Sequence, residues 1–293
     1  KSTLVNYLLE RLPKFMQLMH GLNPEYPDYT VMVTATTNKA CEALQEQIAC
    51  CHDVSTIHST LRLVVFTDYK TKKVELVQKS NEIFSNYIVF VDEAGFVDHK
   101  LKRIIESRFV KSKIIYLGDA DQLVPVGNTN SPVFNSSGPK AELSQVVRQA
   151  AGNPIIDAAT MFRHAVRTGE FAPINTDPHH VIHCDQDDFE KRILEEFNRP
   201  DWKHQDSKVL LWTNDGAVDY NNAIRNEVQG QPEFQVGDYA ICNSFVKGGT
   251  SAPMIKANTT VQLQGIKPAY SNGVAGHHYK IKGSWYFMPS VRA

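Results

Sequence analysis

The chain has 293 residues, enough for about two domains at ~100–200 residues each. A hydrophobic share of 42% and a charged share of 22%, with 14 Phe, 11 Tyr and 3 Trp, exclude disordered, collagen-like and coiled-coil chains. Thirty-one Lys and Arg against 32 Asp and Glu give a net charge of −1, which excludes a strongly basic tail gripping a polyanion by charge alone but leaves room for a local basic groove.

In chain order, Leu4, Val5, Leu8, Leu9 and Leu12 recur at helical spacing, so residues 2–12 are expected to be a helix that Pro13 stops or kinks. Residues 30–35 read as a buried strand and 39–49 as a helix. Residues 61–66 and 73–77 are short β-prone runs that predict a small hairpin. Residues 87–91 and 113–117 are continuous apolar runs of the kind that form parallel strands covered on both faces, with a helix over 98–109 between them. Further helices are expected over 151–166, 187–197 and 215–228, and a buried strand over 209–212. From Phe234 the texture changes to short strands and Gly-rich turns, ending in a hairpin pattern over 279–287, which reads as a small β domain. Strands alternating with helices, then a β module, predict an α/β architecture with an inserted barrel-like domain. No apolar run approaches the ~18–20 residues of a membrane span, so no membrane partner is expected. Cys41, Cys50, Cys51, Cys184 and Cys242 contain no C-x-x-C pair and are expected as reduced thiols in a cytoplasmic protein.

Four segments carry chemistry. Lys1-Ser2-Thr3 opens a helix, as the last residues of a phosphate-binding loop do: the helix N-terminus and the Lys hold phosphates, and the hydroxyl holds Mg²⁺. The three residues alone occur often by chance. Asp92 and Glu93 follow a buried strand, where α/β sheets bind ligands; Asp92 suits a Mg²⁺ ligand and Glu93 an acid that polarises water. Gly118-Asp119-Ala120-Asp121-Gln122-Leu123-Val124-Pro125 follows another buried strand, and the Gln122 amide suits a sensor of the γ-phosphate and the attacking water. Arg148 can neutralise charge on a transferring phosphoryl group, although such an Arg alone is more often a surface residue.

In this order and spacing the four segments resemble the superfamily 1 helicases, and within them the Dda-type phage helicases and related RecD-like enzymes (superfamily 1B). Residues 34–40 and 56–61 are similar to motifs Ia and Ib of that group. Residues 209–225 resemble the first strand and helix of a second RecA-like domain, and 234–243 the entry to an SH3-like domain. The glycine-rich part of motif I and motifs V and VI are missing. The resemblance implies RecA-like P-loop NTPase domains with a small β-hairpin insertion (1B) and an SH3-like β insertion (2B). Domain 1A would take 1–60 and 88–173, domain 1B 61–87, the start of domain 2A 174–235 and the start of domain 2B 236–293. It also implies an ATP hydrolase that moves 5′→3′ on single-stranded DNA and unwinds duplex in phage replication or recombination, with ATP and Mg²⁺ as ligands. Lys1, Ser2, Thr3 and Asp92 would bind ATP, with Ser2 and Asp92 on the metal, and Glu93, Gln122 and Arg148 would be catalytic. Partners would be single-stranded DNA, the DNA fork, and single-strand-binding or replisome proteins, in the host cytoplasm if the protein is phage-encoded. Both ends of the chain look cut, and the segment alone is expected neither to fold well nor to hydrolyse ATP.

For DNA, Thr36, Thr37, Asn38 and Lys39 offer sequence-blind donors at a strand end. His58 either stacks on a base and bonds phosphate, or is structural. Phe66 or Tyr69 either stacks on the fork base pair or packs inside the hairpin. Stacking of ~1–3 kcal/mol matches one duplex step of ~1.4 kcal/mol, which makes the pin feasible. Lys70, Lys72 and Lys73 serve equally well as solubilising charges. His179, His180, His183 and Cys184 are not expected to bind metal, because adjacent histidines on a strand do not face one ion. The rival readings are a P-loop NTPase of another class and a degenerate helicase-like DNA-binding module without turnover. The first would lack the 118–125 segment, and the second has no need of Glu93.

Overall fold

A computed structural model describes residues 1–48, 53–67, 74–124, 130–143, 152–231, 233–242, 245–246, 252–271 and 273–290, excepting the side chains of 65–67 and 74–75. The chain divides into two compact units, Lys1–Ser144 and Gln145–Ala293.

The first unit opens with α1 (Ser2–Leu22), which buries Val5 and Leu9. Pro13 lies inside α1, so of the stop or kink expected from its ring the stop does not occur, and the helix runs past residue 12 to Leu22. A proline removes one i→i−4 bond at a cost of ~3 kcal/mol, while Val5 and Leu9 anchor the helix on the core. The helix ends where Asn23 turns extended and its N–H donates to the Met19 carbonyl.

Strand β1 (Thr30–Ala35), helix α2 (Asn38–Gln47), strand β2 (Val54–Thr56) and the short α3 (Ile57–Thr60) follow. Next come the antiparallel pair β3 (Leu63–Thr67) and β4 (Val74–Gln78), whose connecting residues 68–73 lie outside the described residues. Strand β5 (Phe84–Ser85) pairs in parallel with β7 (Phe109–Val110). Between them lie β6 (Tyr87–Asp92), a 3-10 turn (Ala94–Phe96) and α4 (His99–Arg108), and β8 (Lys113–Tyr116) comes after.

The central sheet is parallel, in the order β2-β1-β6-β8. Strand β6 shows why its sequence is an unbroken apolar run. Ile88 and Phe90 join a core with Val5, Leu9 and Leu44 on one face. Val89 and Val91 join Ile57, Leu101 and Ile105 on the other. Both faces are covered, so alternation with polar residues is suppressed. From β1 the chain crosses through α2 to one side, and from β6 through α4 to the other. The C-terminal ends of β1 and β6 therefore flank a topological switch point, where α/β sheets bind ligands.

The second unit contains α5 (Pro154–Thr168), α6 (Gln186–Phe197) and α7 (Asn214–Gln229). Each has a side-chain N-cap (Asn153, Asp185 and Thr213), and α5 and α7 end at the left-handed Gly169 and Gly230. The strand expected over 209–212 does not form: Leu210 and Trp212 are 90% and 98% exposed. An apolar run becomes a strand only beside a partner strand, and no strand pairs with this segment among the described residues.

The expected β module is present. Strands β9 (Tyr239–Ile241) and β10 (Thr260–Gln262) pair, and β11 (Gly265–Ser271), β12 (Val274–Ile281) and β13 (Ser284–Pro289) form an antiparallel meander. Lys282 and Gly283, with φ of 48° and 81°, make the two-residue turn between β12 and β13, the geometry that follows strand twist. Tyr286, Ile281, Val261 and Leu263 form this module's core, and the Tyr286 hydroxyl donates to the Pro253 carbonyl at 2.8 Å.

Candidate nucleotide-binding site

At the C-terminal end of β6 the chain turns sharply. Glu93 adopts φ 51°, ψ 42°, a left-handed conformation uncommon outside glycine. Lys1, the N-cap of α1, donates from Nζ to Glu93 Oε1 at 2.8 Å and lies 3.8 Å from Asp92 Oδ1. Asp92 is buried and its Oδ1 has no hydrogen-bond partner; at 3.8 Å the ammonium gives charge compensation without a bond. A buried carboxylate oxygen without a donor suits a divalent cation. Ser2 and Thr3 follow Lys1 in the first turn of α1.

The neighbouring strand buttresses the turn. Thr36 is buried; its N–H donates to the Asp92 carbonyl at 3.1 Å and its hydroxyl to the Glu93 carbonyl at 2.9 Å. Ser131, also buried, donates to the carbonyls of Ala94 at 2.9 Å and Val97 at 2.7 Å. Ala94 N–H donates to the Leu117 carbonyl, which brings the chain after β8 against the turn. Gly118 permits that approach, since a Cβ there would lie 2.7 Å from Phe134 Cζ and 3.2 Å from Gly95 N.

Gln122 lies on the loop that follows. That loop packs on Gly95, where a Cβ would meet the Leu123 carbonyl at 3.1 Å. Its amide Nε2 donates to Asp119 Oδ2 at 3.3 Å, within its own loop. Lys1, Asp92, Glu93 and Thr36 are thus gathered directly, and Gln122 stands on an adjacent loop with its amide engaged. Arg148 and Tyr69 lie outside the described residues, as does the Phe66 side chain; the Phe66 backbone pairs with Glu75.

Of the residues expected on DNA, the Thr37 hydroxyl caps α2 by accepting from Ala40 N–H at 3.2 Å. Asn38 begins that helix and Lys39 is exposed on it. His58 is half-buried in α3, and burial pushes its imidazole below the usual value, opposed by the Asp98 carboxylate. Reading the sequence missed Thr36 as a support of Glu93, and missed Ser131. Nothing in the Asn130-Ser131-Pro132 context signals the latter.

His179 and His180 have a local role. Asp177 accepts from the N–H groups of His179, His180 and Val181, and the bonds from His179 and His180 hold its carboxyl down at about 2. Among the described residues no group of three or more His, Cys, Asp or Glu is arranged to hold a metal ion, and no helix is long and apolar enough to cross a membrane.

A family model described as an AAA domain matches residues 12–187, more than half of the chain. The chain belongs to this AAA domain family. The family is a P-loop, helicase-type domain, which agrees with the parallel sheet and with a RecA-like P-loop fold. AAA domain membership carries nucleotide binding, usually with Mg²⁺, and suggests NTP hydrolysis. The AAA match takes in Asp92, Glu93 and Gln122 and begins after Lys1. No curated protein matches the chain.

Proposed function

We propose that the protein is an ATP-driven DNA helicase that moves 5′→3′ along single-stranded DNA and opens duplex ahead of it, as Dda-type and RecD-like enzymes do. The observation that carries this reading is the meeting of the Lys1 ammonium with the Asp92–Glu93 pair at the switch point of a parallel sheet. A binding module has no use for two acids and a cation converging there.

In this reading the Lys1 ammonium exchanges its bond to Glu93 for the terminal phosphates of ATP. Mg²⁺, held by Asp92 and Ser2, would neutralise phosphate oxygens. Glu93, released from Lys1, accepts a hydrogen bond from the attacking water. Gln122 leaves Asp119 to reach the γ-phosphate, and Arg148 would neutralise charge on the transferring phosphoryl group. The hydroxyl of Thr36 bonds the Glu93 carbonyl, so a strand of DNA lying on Thr37, Asn38 and Lys39 is one residue from the support of the catalytic acid. That adjacency supports DNA-stimulated hydrolysis.

Glu93→Gln tests the reading. Loss of a general base costs ~10²–10⁴ in rate. Joined to the glycine-rich part of motif I and to motifs V and VI, on which the resemblance makes hydrolysis depend, the variant should bind a fluorescent ATP analogue as the likewise completed parent does and hydrolyse ATP at least about a hundredfold more slowly. Parental hydrolysis by the variant would end the assignment. Polarity is read from forked duplexes with a single 5′ or 3′ tail: only the 5′-tailed substrate should be opened.

A further inference from the structure

Residues 239–293 contain six Lys and Arg and no Asp or Glu, in a chain whose net charge is −1. The meander β11–β12–β13 occupies this stretch, and its register sorts the side chains into two faces. Tyr279, Ile281 and Tyr286 turn into the core. The opposite face carries two cross-strand rows. One is Gly265, Lys280 and Trp285; the other is Lys267, His278 and Phe287. Every side chain longer than alanine in these rows is aromatic or basic.

The rows are built for flat rings. Trp285 lies over Gly265, where a Cβ would come within 3.1 Å of its Cη2. Phe287 lies over Gly276, where a Cβ would come within 2.9 Å of its Cε2 and Cζ. Trp285 remains 39% exposed and the Lys267 ammonium sits 4.4 Å from its ring centroid. His278 meets Phe287 edge-on at 5.7 Å.

We infer that this outer face of the β module is a platform for single-stranded nucleic acid, with bases stacking on Trp285 and Phe287 and phosphates held by Lys267 and Lys280. Aromatic rings set among cations, in a stretch of chain without acids, match a strand of alternating π faces and negative charges. The inference rests on the helicase reading and deepens it, since it gives the translocated strand a contact on the β module.

The test is fluorescence anisotropy of a labelled oligothymidylate with the 293-residue chain. Trp285→Ala should weaken binding by about five- to a hundredfold, and Trp285→Phe should keep most of it. The double variant Lys267→Gln/Lys280→Gln should weaken binding and flatten its salt dependence by about 0.7 in log–log slope per lysine. All three should bind a fluorescent ATP analogue as the parent does. Parental oligonucleotide affinity in Trp285→Ala and in the lysine pair would overturn the platform while leaving the helicase reading intact. If the same variants instead changed the sedimentation coefficient without changing oligonucleotide affinity, the face would be an interface between copies and the platform would fall. Loss of oligonucleotide binding in the variants, in a protein that binds no ATP analogue, would keep the platform and remove the helicase reading.

Discussion

The hydroxyl of Thr36 reaches the Glu93 carbonyl across 57 positions of sequence. It holds a residue whose left-handed backbone costs energy, so removing it should loosen the turn that aims the carboxylate. Thr36→Val keeps the shape and removes one of two donors to that carbonyl, the other being the Phe96 N–H at 3.2 Å, at a cost of ~0.5–1.5 kcal/mol. A lower urea midpoint together with slower ATP hydrolysis is the expected outcome. Unchanged values of both would show that the bond is idle. His58 gives a pH dependence. Burial lowers its folded-state value, so the unfolded chain takes up the proton first as pH falls. Its contribution is complete above the unfolded value of about 6.5 and declines as pH drops from there towards the lowered folded value. Urea midpoints at pH 7.5 and 5.5 should differ less in His58→Gln than in the parent. The Asp92–Glu93 pair was legible because acids directly after an apolar strand have few other uses. Thr36 as their support was not, because the pairing of β1 with β6 decides which carbonyl its hydroxyl finds.

At the scale of elements, α1 and the segment at 209–212 depart from their patterns in opposite directions. Pro13 reads as a stop or a kink, and the helix passes through it. The Leu9 carbonyl opposite its ring lacks the usual i→i−4 donor, and Val5 and Leu9 in the core offset that loss. Pro13→Ala should restore the bond. The gain is reduced by the looser unfolded chain, worth ~0.4–1 kcal/mol, which from ~3 kcal/mol leaves a net stabilisation of about 2–2.6 kcal/mol in urea unfolding. No gain would mean that the helix bends around the ring without loss. Residues 209–212 read as a strand but form none, with Leu210 and Trp212 exposed, because β structure needs a neighbour's hydrogen-bonding edge. The hairpin at Lys282–Gly283 matched its pattern, since a two-residue turn is fixed by its own backbone.

For the whole molecule, a net charge near zero hides an uneven distribution, with the acids absent after Asp238. That asymmetry sets the charged ligand of the proposed platform on the β module, and it predicts that oligonucleotide affinity depends more steeply on salt than an overall charge of −1 would suggest. Sequence alone determined the parallel strands at 87–91 and 113–117, the two acids at the end of the first, the helices that follow them and the β texture of the last third, because each is set by local periodicity or by one residue type at a fixed offset. Only the tertiary structure decided that Lys1 meets Glu93, that Thr36 and Ser131 hold the turn, and that Trp285 and Phe287 share a face with Lys267 and Lys280. Those relations depend on strand order and register, and register comes from how faces pack together, which no short window of sequence contains.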